Sequence, residues 1–349
     1  ESNHRLSYEE AQHIIENEER IIPKEKTILN KEKKVTNNLV DAITTLNLVA
    51  KTIRNKRINN GAIIFDKSEI KFKLDEKNNP KEVVFKTAKS ANKLIEEFML
   101  LANKRVAEKM KKGKERFVYR VHDQPDEEKL KNLQTVVKRL GYNLELNKNS
   151  LNDSLNTLLE NTFGKNEQNL IDTLMIRSMS KAEYTTKNIG HYGLAFDNYT
   201  HFTSPIRRYP DVLVHRLIEA ELKNDKINTD ELETLCNHST HMEILATKAE
   251  RDSVKLMQIK YMLDKEGKIF ESVISGVTAR GGFVEVVENK CEGLVKAKDL
   301  PGDFYVHDEK NHQFVGEKTG KKYQLGDKTR VMLIKADQVK RRLDFQILT

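Results

Sequence analysis

The carboxyl-terminal part of this 349-residue chain limits the possible fold most strongly, because apolar and polar side chains alternate there in short segments. Alternation with a period of two residues indicates strands that have one buried face. Glycine-containing turns separate several of these segments, which are Ile269–Val277, Gly282–Val287, Glu292–Val295, Lys328–Lys335 and Arg341–Leu348. Five short strands of this spacing predict a small barrel of the OB type.

Helical periodicity dominates the chain before this barrel. Apolar residues recur at intervals of three and four over Thr27–Asn59, Ser90–Lys112 and Thr229–Leu263, and we expect one long helix in each segment. Strand-like alternation interrupts the helices at Gly61–Thr87 and Phe117–His122. The predicted boundary between two domains, 1–265 and 266–349, lies in the mostly charged segment 264–268.

The charge balance favours a polyanionic partner. Lys and Arg number 61 against 53 Asp and Glu, so the formal net charge is +8. No apolar run approaches the roughly 18 residues that a membrane helix needs, and we expect no membrane association. Two widely separated cysteines, Cys236 and Cys291, have no metal-site spacing and predict a protein of the reducing cytoplasm.

The stretch from His191 to Arg216 combines the side chains of an anion site. Thr203 and Ser204 supply hydroxyls, Pro205 predicts the start of a helix, and Arg207 and Arg208 follow directly. Hydroxyls, free N–H groups at a helix start and adjacent guanidinium groups together suit a phosphate. The pattern alone favours the alternative, a surface helix with solvated arginines and buried aromatic side chains.

The sequence HFTSPIRRYPD, at residues 201–211, resembles the signature of the RNB (ribonuclease II/R) family of exoribonucleases, with the closer match to its bacterial ribonuclease R members. The similarity continues in the I-E-E-x-M-x-x-A-N run at 95–103 and the A-E-R-D run at 249–252. GKIFESVISGVTARGGFVEV, GLVKAKDL and YQLGD resemble the OB module named after ribosomal protein S-one. The resemblance covers nearly the whole chain. It implies an α+β fold: the carboxyl half of an RNB catalytic domain, with helices packed on a mixed sheet, followed by an OB-fold barrel that binds RNA.

The resemblance implies a processive, magnesium-dependent 3′→5′ hydrolytic exoribonuclease that degrades single-stranded RNA to nucleoside 5′-monophosphates. By motif, Arg207 would stabilise the charge on the scissile phosphate. Glu250 would act as a carboxylate near the reacting water, although a surface residue on a charged helix is the alternative. Thr203, Ser204 and Arg208 would bind phosphate at the RNA 3′ end.

Further RNA contacts are expected on both domains. Tyr209 follows the two arginines, and His122 ends a strand that the family places near the RNA channel, although a lone histidine is more often structural. On the barrel, bases are expected to stack on aromatic side chains between cations. The candidates are Phe270, Phe283, Tyr305 and Lys296, supported by Arg330, Lys335 and Arg342. Either phenylalanine could instead belong to the barrel core.

The metal ligands of the family do not occur in this sequence. They form a D-x-x-D-x-D-D-A cluster, and no segment here gathers three carboxylates at that spacing. We therefore expect no metal ligands in this chain, magnesium bound mainly by upstream residues, and a fragment that is inactive alone. Expected partners are the RNA 3′ end, the missing amino-terminal half and ribosomes or RNA-decay proteins. The alternative is a catalytically inactive RNA-binding or docking protein on an RNB-like scaffold.

Overall fold

A computed structural model describes residues 4–65, 69–113, 116–147, 150–165, 167–226, 228–309 and 313–348. Their helices, in chain order, are α1 (Tyr8–Asn17), α2 (Asn37–Asn59), α3 (Ser90–Met110), α4 (Glu127–Arg139), α5 (Leu151–Thr162), α6 (Gln168–Ser178), α7 (Tyr209–Lys223) and α8 (Leu232–Met262). Their strands before the barrel are β1 (Ile21–Ile22), β2 (Lys33–Lys34), β3 (Glu69–Leu74), β4 (Pro80–Lys86), β5 (Tyr119–Val121) and β6 (Glu183–Thr185).

The remaining strands are β7 (Ile269–Thr278), β8 (Gly281–Val286), β9 (Glu292–Lys296), β10 (Tyr305–Asp308), β11 (Gln313–Gly316), β12 (Lys322–Gln324), β13 (Lys328–Asp337) and β14 (Arg342–Ile347). The chain folds into two compact units that are interleaved in sequence. The first comprises Glu1–Lys67, Thr87–Gln124 and Ser180–Glu243, and the second comprises Ser68–Lys86, Pro125–Met179 and Ile244–Thr349. This division differs from the two domains predicted from the sequence, 1–265 and 266–349. The boundary between those two domains stays a prediction.

The core of the first unit forms around α7. Leu213, Val214 and Leu217 lie on one face of this helix and are buried against side chains of α3, β5, β6 and the start of α8. A smaller cluster packs α1 and α2 together through Ile14 and Val40. The α1 helix begins at a capping box, in which the Ser7 and Glu10 side chains each accept a hydrogen bond from the other residue's backbone N–H.

A buried ion pair connects α2 to α3. Arg57 donates from Nη2 to Glu97 Oε1 at 2.5 Å and from Nε to Oε2 at 3.2 Å. Arg54 also donates to Glu97 Oε1, at 3.3 Å. The Glu97 side chain is only 1% exposed, so the two arginines neutralise a carboxylate that has almost no contact with water.

In the second unit, β7, β8, β9, β13 and β14 form a closed barrel, which confirms the predicted five-stranded OB fold. Neighbouring strands are antiparallel except β14 and β9, which pair in parallel at Asp344 and Leu294. Gly293 allows this closure, because a Cβ there would lie 2.6 Å from the Phe345 ring. A three-stranded sheet of β10, β11 and β12 accompanies the barrel. Val136 of α4 and Leu170 of α6 pack together with Leu325, which directly follows β12.

Two predictions about the part before the barrel were wrong. The expected mixed sheet is replaced, among the residues that the structure describes, by separate antiparallel pairs, β1–β2, β3–β4 and β5–β6. The expected helix from Thr27 begins only at Asn37, because residues 33–34 pair with β1 and the Thr36 hydroxyl caps the helix by accepting from Leu39 N–H.

Candidate functional site

The segment before α7, residues 202–208, is held in place by a buried side chain of α3. Asn103 is 3% exposed, and its Oδ1 accepts from the backbone N–H groups of Phe202 at 3.0 Å and Thr203 at 3.2 Å. Its Nδ2 donates to Tyr199 Oη at 3.1 Å. Because three of its hydrogen-bonding capacities are used inside the protein, Asn103 fixes the path of the backbone that carries the candidate phosphate ligands.

Asp211 fixes the other end of this segment. Its side chain is fully buried in the first turn of α7, and Oδ1 accepts from Ser204 N–H at 2.7 Å and from Arg208 Nη2 at 2.8 Å. A carboxylate in the first turn is also stabilised by the helix dipole. The helix begins at Tyr209, with Pro210 in its first turn, so the prediction that it starts at Pro205 was wrong.

Two buried hydrogen-bond donors in this segment lack a protein partner. Thr203 Oγ1 and Arg208 Nε make no hydrogen bond with any residue that the structure describes. Buried polar atoms are normally satisfied, so such a pair of donors suggests atoms that a ligand completes. Both the hydroxyl and the Nε–H can donate to a phosphate oxygen.

Several residues next to these two donors face water. Ile206 is fully exposed, Tyr209 is 46% exposed, and Arg207 is exposed as well. Across the described part of the chain, no side chain forms an ion pair or hydrogen bond with the Arg207 guanidinium group. Arg208, in contrast, is half-buried and anchored by Asp211. The two adjacent arginines therefore differ, with one cation free to meet a ligand and one held at a fixed position.

Histidine and tyrosine side chains pack beside this segment. His122 is satisfied on both ring nitrogens: Nδ1 accepts from Gly193 N–H at 3.0 Å, and Nε2 lies 2.9 Å from the Ser180 carbonyl oxygen, to which it donates. Burial lowers the pKa of His122 below its usual range. These contacts fully account for His122 as a structural residue, and its contact with RNA stays a prediction.

Two further histidines are held neutral by their surroundings. Burial, together with His122 and Arg120, lowers the pKa of His191 to about 3. Burial, together with Arg208 and Arg120, lowers the pKa of His201 to about 2. His201 Nδ1 lies 2.8 Å from Tyr184 Oη. The cluster therefore adds hydrogen-bonding groups next to the arginines without adding positive charge.

Acid is expected to destabilise the protein through His201. Because its pKa is about 2 in the folded state against about 6.5 in the unfolded chain, stability is lost as the pH falls below 6.5. For one such histidine the loss between pH 7 and pH 5 is about 2 kcal/mol. Urea unfolding at pH 7 and pH 5 measures how much the free energy of unfolding falls between the two pH values. This fall should be about 2 kcal/mol smaller in His201→Gln than in wild type. The exposed control His238→Gln should keep the full drop. Equal drops in all three proteins would contradict the prediction.

Glu250 lies on α8, exposed, and forms no ion pair with the described residues. It belongs to the second compact unit and Arg207 to the first. The catalytic roles of both residues therefore stay predictions.

The barrel corrects two of the predicted RNA-binding side chains. Phe270 is 8% exposed and Tyr305 is 6% exposed, and both belong to the hydrophobic core of the barrel unit. Phe270 occupies an inward position of β7, where buried and exposed residues alternate. Tyr305 Oη donates to the Pro301 carbonyl oxygen at 3.0 Å, and its ring lies 5.2 Å from that of Tyr323. Neither ring is available for a base to stack on.

Phe283 and Lys296 remain partly exposed on adjacent strands, β8 and β9. Phe283 pairs with Gly276 on one side and Leu294 on the other. Its ring covers the glycine, where a Cβ would lie 3.4 Å from Phe283 Cδ2. This accessible ring beside a cation is the arrangement expected for stacking a base next to a phosphate.

The other three candidate cations of the barrel have carboxylate partners. Arg342 contacts Asp344 through Nε at 2.7 Å and Nη2 at 3.0 Å. Arg330 lies 3.4 Å from Glu271, and Lys335 lies 3.7 Å from Asp337. A partner carboxylate weakens the attraction of each cation for phosphate, so these residues are poorer candidates than Lys296.

Phe283→Ala is expected to weaken RNA binding by about 1–3 kcal/mol, because one stacking surface is removed. The control is Phe304→Ala, which removes a ring that is 68% exposed outside the barrel strands, and its affinity should stay at the wild-type level. Fluorescence anisotropy with a labelled single-stranded RNA measures both. A barrel that unfolds in Phe283→Ala, detected by thermal melting, would mean that the ring belongs to the core.

Sequence reasoning missed Asn103 and Asp211 as positioning residues. Both occur inside recognised motifs, Asn103 at the end of the run at 95–103 and Asp211 at the end of HFTSPIRRYPD. The signal that could have identified them is a polar side chain at a position of helical periodicity that should be apolar.

Within the described ranges, no group of three or more His, Cys, Asp or Glu side chains could hold a metal ion. These described side chains therefore do not by themselves form a ligand set for magnesium, and the place where magnesium binds stays a prediction.

The described helices include none with the length and hydropathy to cross a membrane.

The model of the RNB domain family matches residues 1–224 of the sequence. The chain belongs to the RNB family. The S1 RNA binding domain matches residues 263–348, the region of the observed barrel, so an RNB domain is followed by an S1 domain of the OB fold. Within the RNB family the chain is ribonuclease R-like, as the sequence motifs indicated.

Curated relatives of this RNB chain include Ribonuclease R of Aquifex aeolicus, 37% identical over 315 residues, and Ribonuclease R of Escherichia coli, 30% identical over 361 aligned residues. The alignments cover 89% and 100% of this chain, but only 45% and 43% of those proteins. RNase R of Mycoplasma genitalium, solved in complex with ribose methylated single-stranded RNA, superposes with a TM-score of 0.89 at 25% identity. That match covers 99% of this chain and 53% of the other. The chain thus spans about half the length of these relatives.

Proposed function

We propose that this RNB chain acts in the cytoplasm as part of a processive, magnesium-dependent 3′→5′ hydrolytic exoribonuclease, which degrades single-stranded RNA to nucleoside 5′-monophosphates. The carrying observation is the segment 202–208, where two buried donors without a partner among the described residues, Thr203 Oγ1 and Arg208 Nε, adjoin the exposed Arg207. The names of the curated relatives and the RNA in the Mycoplasma genitalium complex support the assignment.

The proposed roles follow from how each side chain is held. Thr203 and Arg208 bind a phosphate near the RNA 3′ end, because Asn103 and Asp211 keep their backbone and guanidinium group at fixed positions. Ser204 adds a hydroxyl beside them. Arg207, which has no competing carboxylate among the described residues, stabilises the charge that develops on the scissile phosphate.

The same proposal assigns Glu250 as a carboxylate near the attacking water and Tyr209 as an RNA contact. The S1 barrel holds the RNA strand through Phe283 and Lys296. Magnesium is proposed to be held mainly by residues outside this chain, since the described side chains do not provide a ligand set.

Mixing the two parts of the enzyme tests the proposal. The chain alone should bind a labelled single-stranded RNA but release no mononucleotides, with or without magnesium. Adding the upstream segment of the same reading frame should restore magnesium-dependent release of nucleoside 5′-monophosphates from the 3′ end. Strong cleavage by the 349-residue chain alone would overturn the proposal that its metal ligands lie elsewhere.

The same experiment distinguishes the proposed exoribonuclease from the alternative, a catalytically inactive RNA-binding or docking protein on an RNB-like scaffold. In that case RNA would bind, but no combination of segments and magnesium would release mononucleotides. The upstream reading frame provides an independent readout, because the alternative requires that it lack the aspartate cluster as well.

A further inference from the structure

A cavity of about 470 Å³ opens on the S1 domain. It lies on strands other than β8 and β9, which carry Phe283 and Lys296. Its walls come from β7, β12, β13 and β14 and from the turn between β12 and β13, whereas β8 and β9 do not line it. The volume lies within the range of about 300–1,000 Å³ that is usual for small-molecule sites. The cavity is therefore distinct from the proposed RNA-stacking surface.

The cavity is strongly basic. Four cations and two carboxylates line it, which leaves a formal charge of +2; the six residues are Lys321, Lys322, Lys328, Arg330, Glu271 and Asp327. The carboxylates are already engaged, because Glu271 lies 3.4 Å from Arg330 and Asp327 Oδ2 accepts from Gln324 N–H at 2.8 Å.

Two of the four cations form no direct ion pair. In the ranges that the structure describes, neither Lys322 nor Lys328 has a carboxylate within ion-pair distance. Glu167 interacts with Lys328 only at longer range. The Lys321 side chain instead lies over a ring, with its Nζ 5.0 Å from the centroid of Tyr323. The apolar part of the wall comes from Tyr323, Ile347 and Leu348. Two ammonium groups without a direct carboxylate contact, next to apolar atoms, suit a ligand with one anionic end and one less polar end.

We propose that this cavity binds a nucleotide-sized phosphate monoester, with Lys322 and Lys328 contacting the phosphate. A phosphate monoester carries about −1.5 to −2 charges at pH 7, which matches the charge of the cavity. Lysine binds phosphate as a point charge and needs no planar geometry. The ligand phosphate has two chemical sources, a free mononucleotide or the terminal phosphate of an RNA strand. The proposal concerns binding only and does not depend on RNA degradation by this chain.

Titration of the 349-residue chain with AMP, followed by calorimetry, tests the proposal. Lys322→Ala/Lys328→Ala should weaken AMP binding at least about tenfold, because two charge-assisted contacts are lost. The matched control is Lys318→Ala/Lys340→Ala, which removes the same charge from exposed positions of this unit that do not line the cavity. It should bind AMP like wild type.

Two further probes distinguish the source of the phosphate. Adenosine, which lacks the phosphate, should not compete with AMP. A short RNA with a 5′-phosphate, compared with the same RNA without it, reports whether a strand end reaches the cavity. If only the phosphorylated RNA loses affinity in the Lys322/Lys328 variant, the source is RNA and the site stands. If neither AMP nor phosphorylated RNA binds more weakly to that variant than to the control, the proposal is overturned.

Discussion

Arg207→Ala in the enzyme reassembled with its metal-binding segment is expected to reduce RNA turnover by at least about 10³-fold, while RNA affinity is largely retained. The arginine is exposed and unpaired among the described residues, so its loss disturbs no contact of the folded chain. An arginine that meets charge developing in the transition state contributes to the rate far more than to ground-state binding.

Single-turnover degradation and fluorescence anisotropy measure turnover and affinity separately for this prediction. The matched control is Arg105→Ala, which removes the guanidinium group of a side chain that is 72% exposed and forms an ion pair with Glu108 of the same helix. Its turnover should remain close to the wild-type rate. A fall in affinity that equals the fall in turnover for Arg207→Ala would show that the residue binds RNA and has no separate role in the transition state.

Glu97→Ala is expected to lower the free energy of unfolding by about 3–5 kcal/mol, the usual cost of leaving a buried charge without its partner. The variant removes the carboxylate that is hydrogen-bonded to Arg57, whose side chain is 5% exposed, and Arg54 loses the same partner. The loss should appear in urea unfolding. Glu97→Gln, which keeps the shape, provides a second measurement if the alanine variant does not fold.

The neighbouring residue supplies the control for this prediction. Glu96 is 51% exposed and lies 4.0 Å from both Arg54 and Arg57. Exposed ion pairs contribute about 0–1 kcal/mol, so Glu96→Ala should have little effect. If Glu96→Ala and Glu97→Ala destabilise the protein equally, burial of the pair does not determine its contribution.

The sequence alone determined the features that depend on near neighbours in the chain. The five barrel strands begin and end within about two residues of the predicted positions, because alternation records which face of each strand is buried. The helix predicted at Thr229–Leu263 is observed as α8, and Ser7 and Glu10 cap α1 as their spacing indicates. The motif HFTSPIRRYPD by itself indicates the RNB family.

The tertiary structure decided which side chains meet. Phe270 and Phe283 looked equivalent in sequence, but the closure of the barrel buried the first and left the second over Gly276. Asn103 holds the backbone of Thr203, a hundred positions later, and Arg57 pairs with Glu97, forty positions away. Periodicity reports burial along one element, whereas these contacts depend on how distant elements pack, and no local pattern encodes that packing.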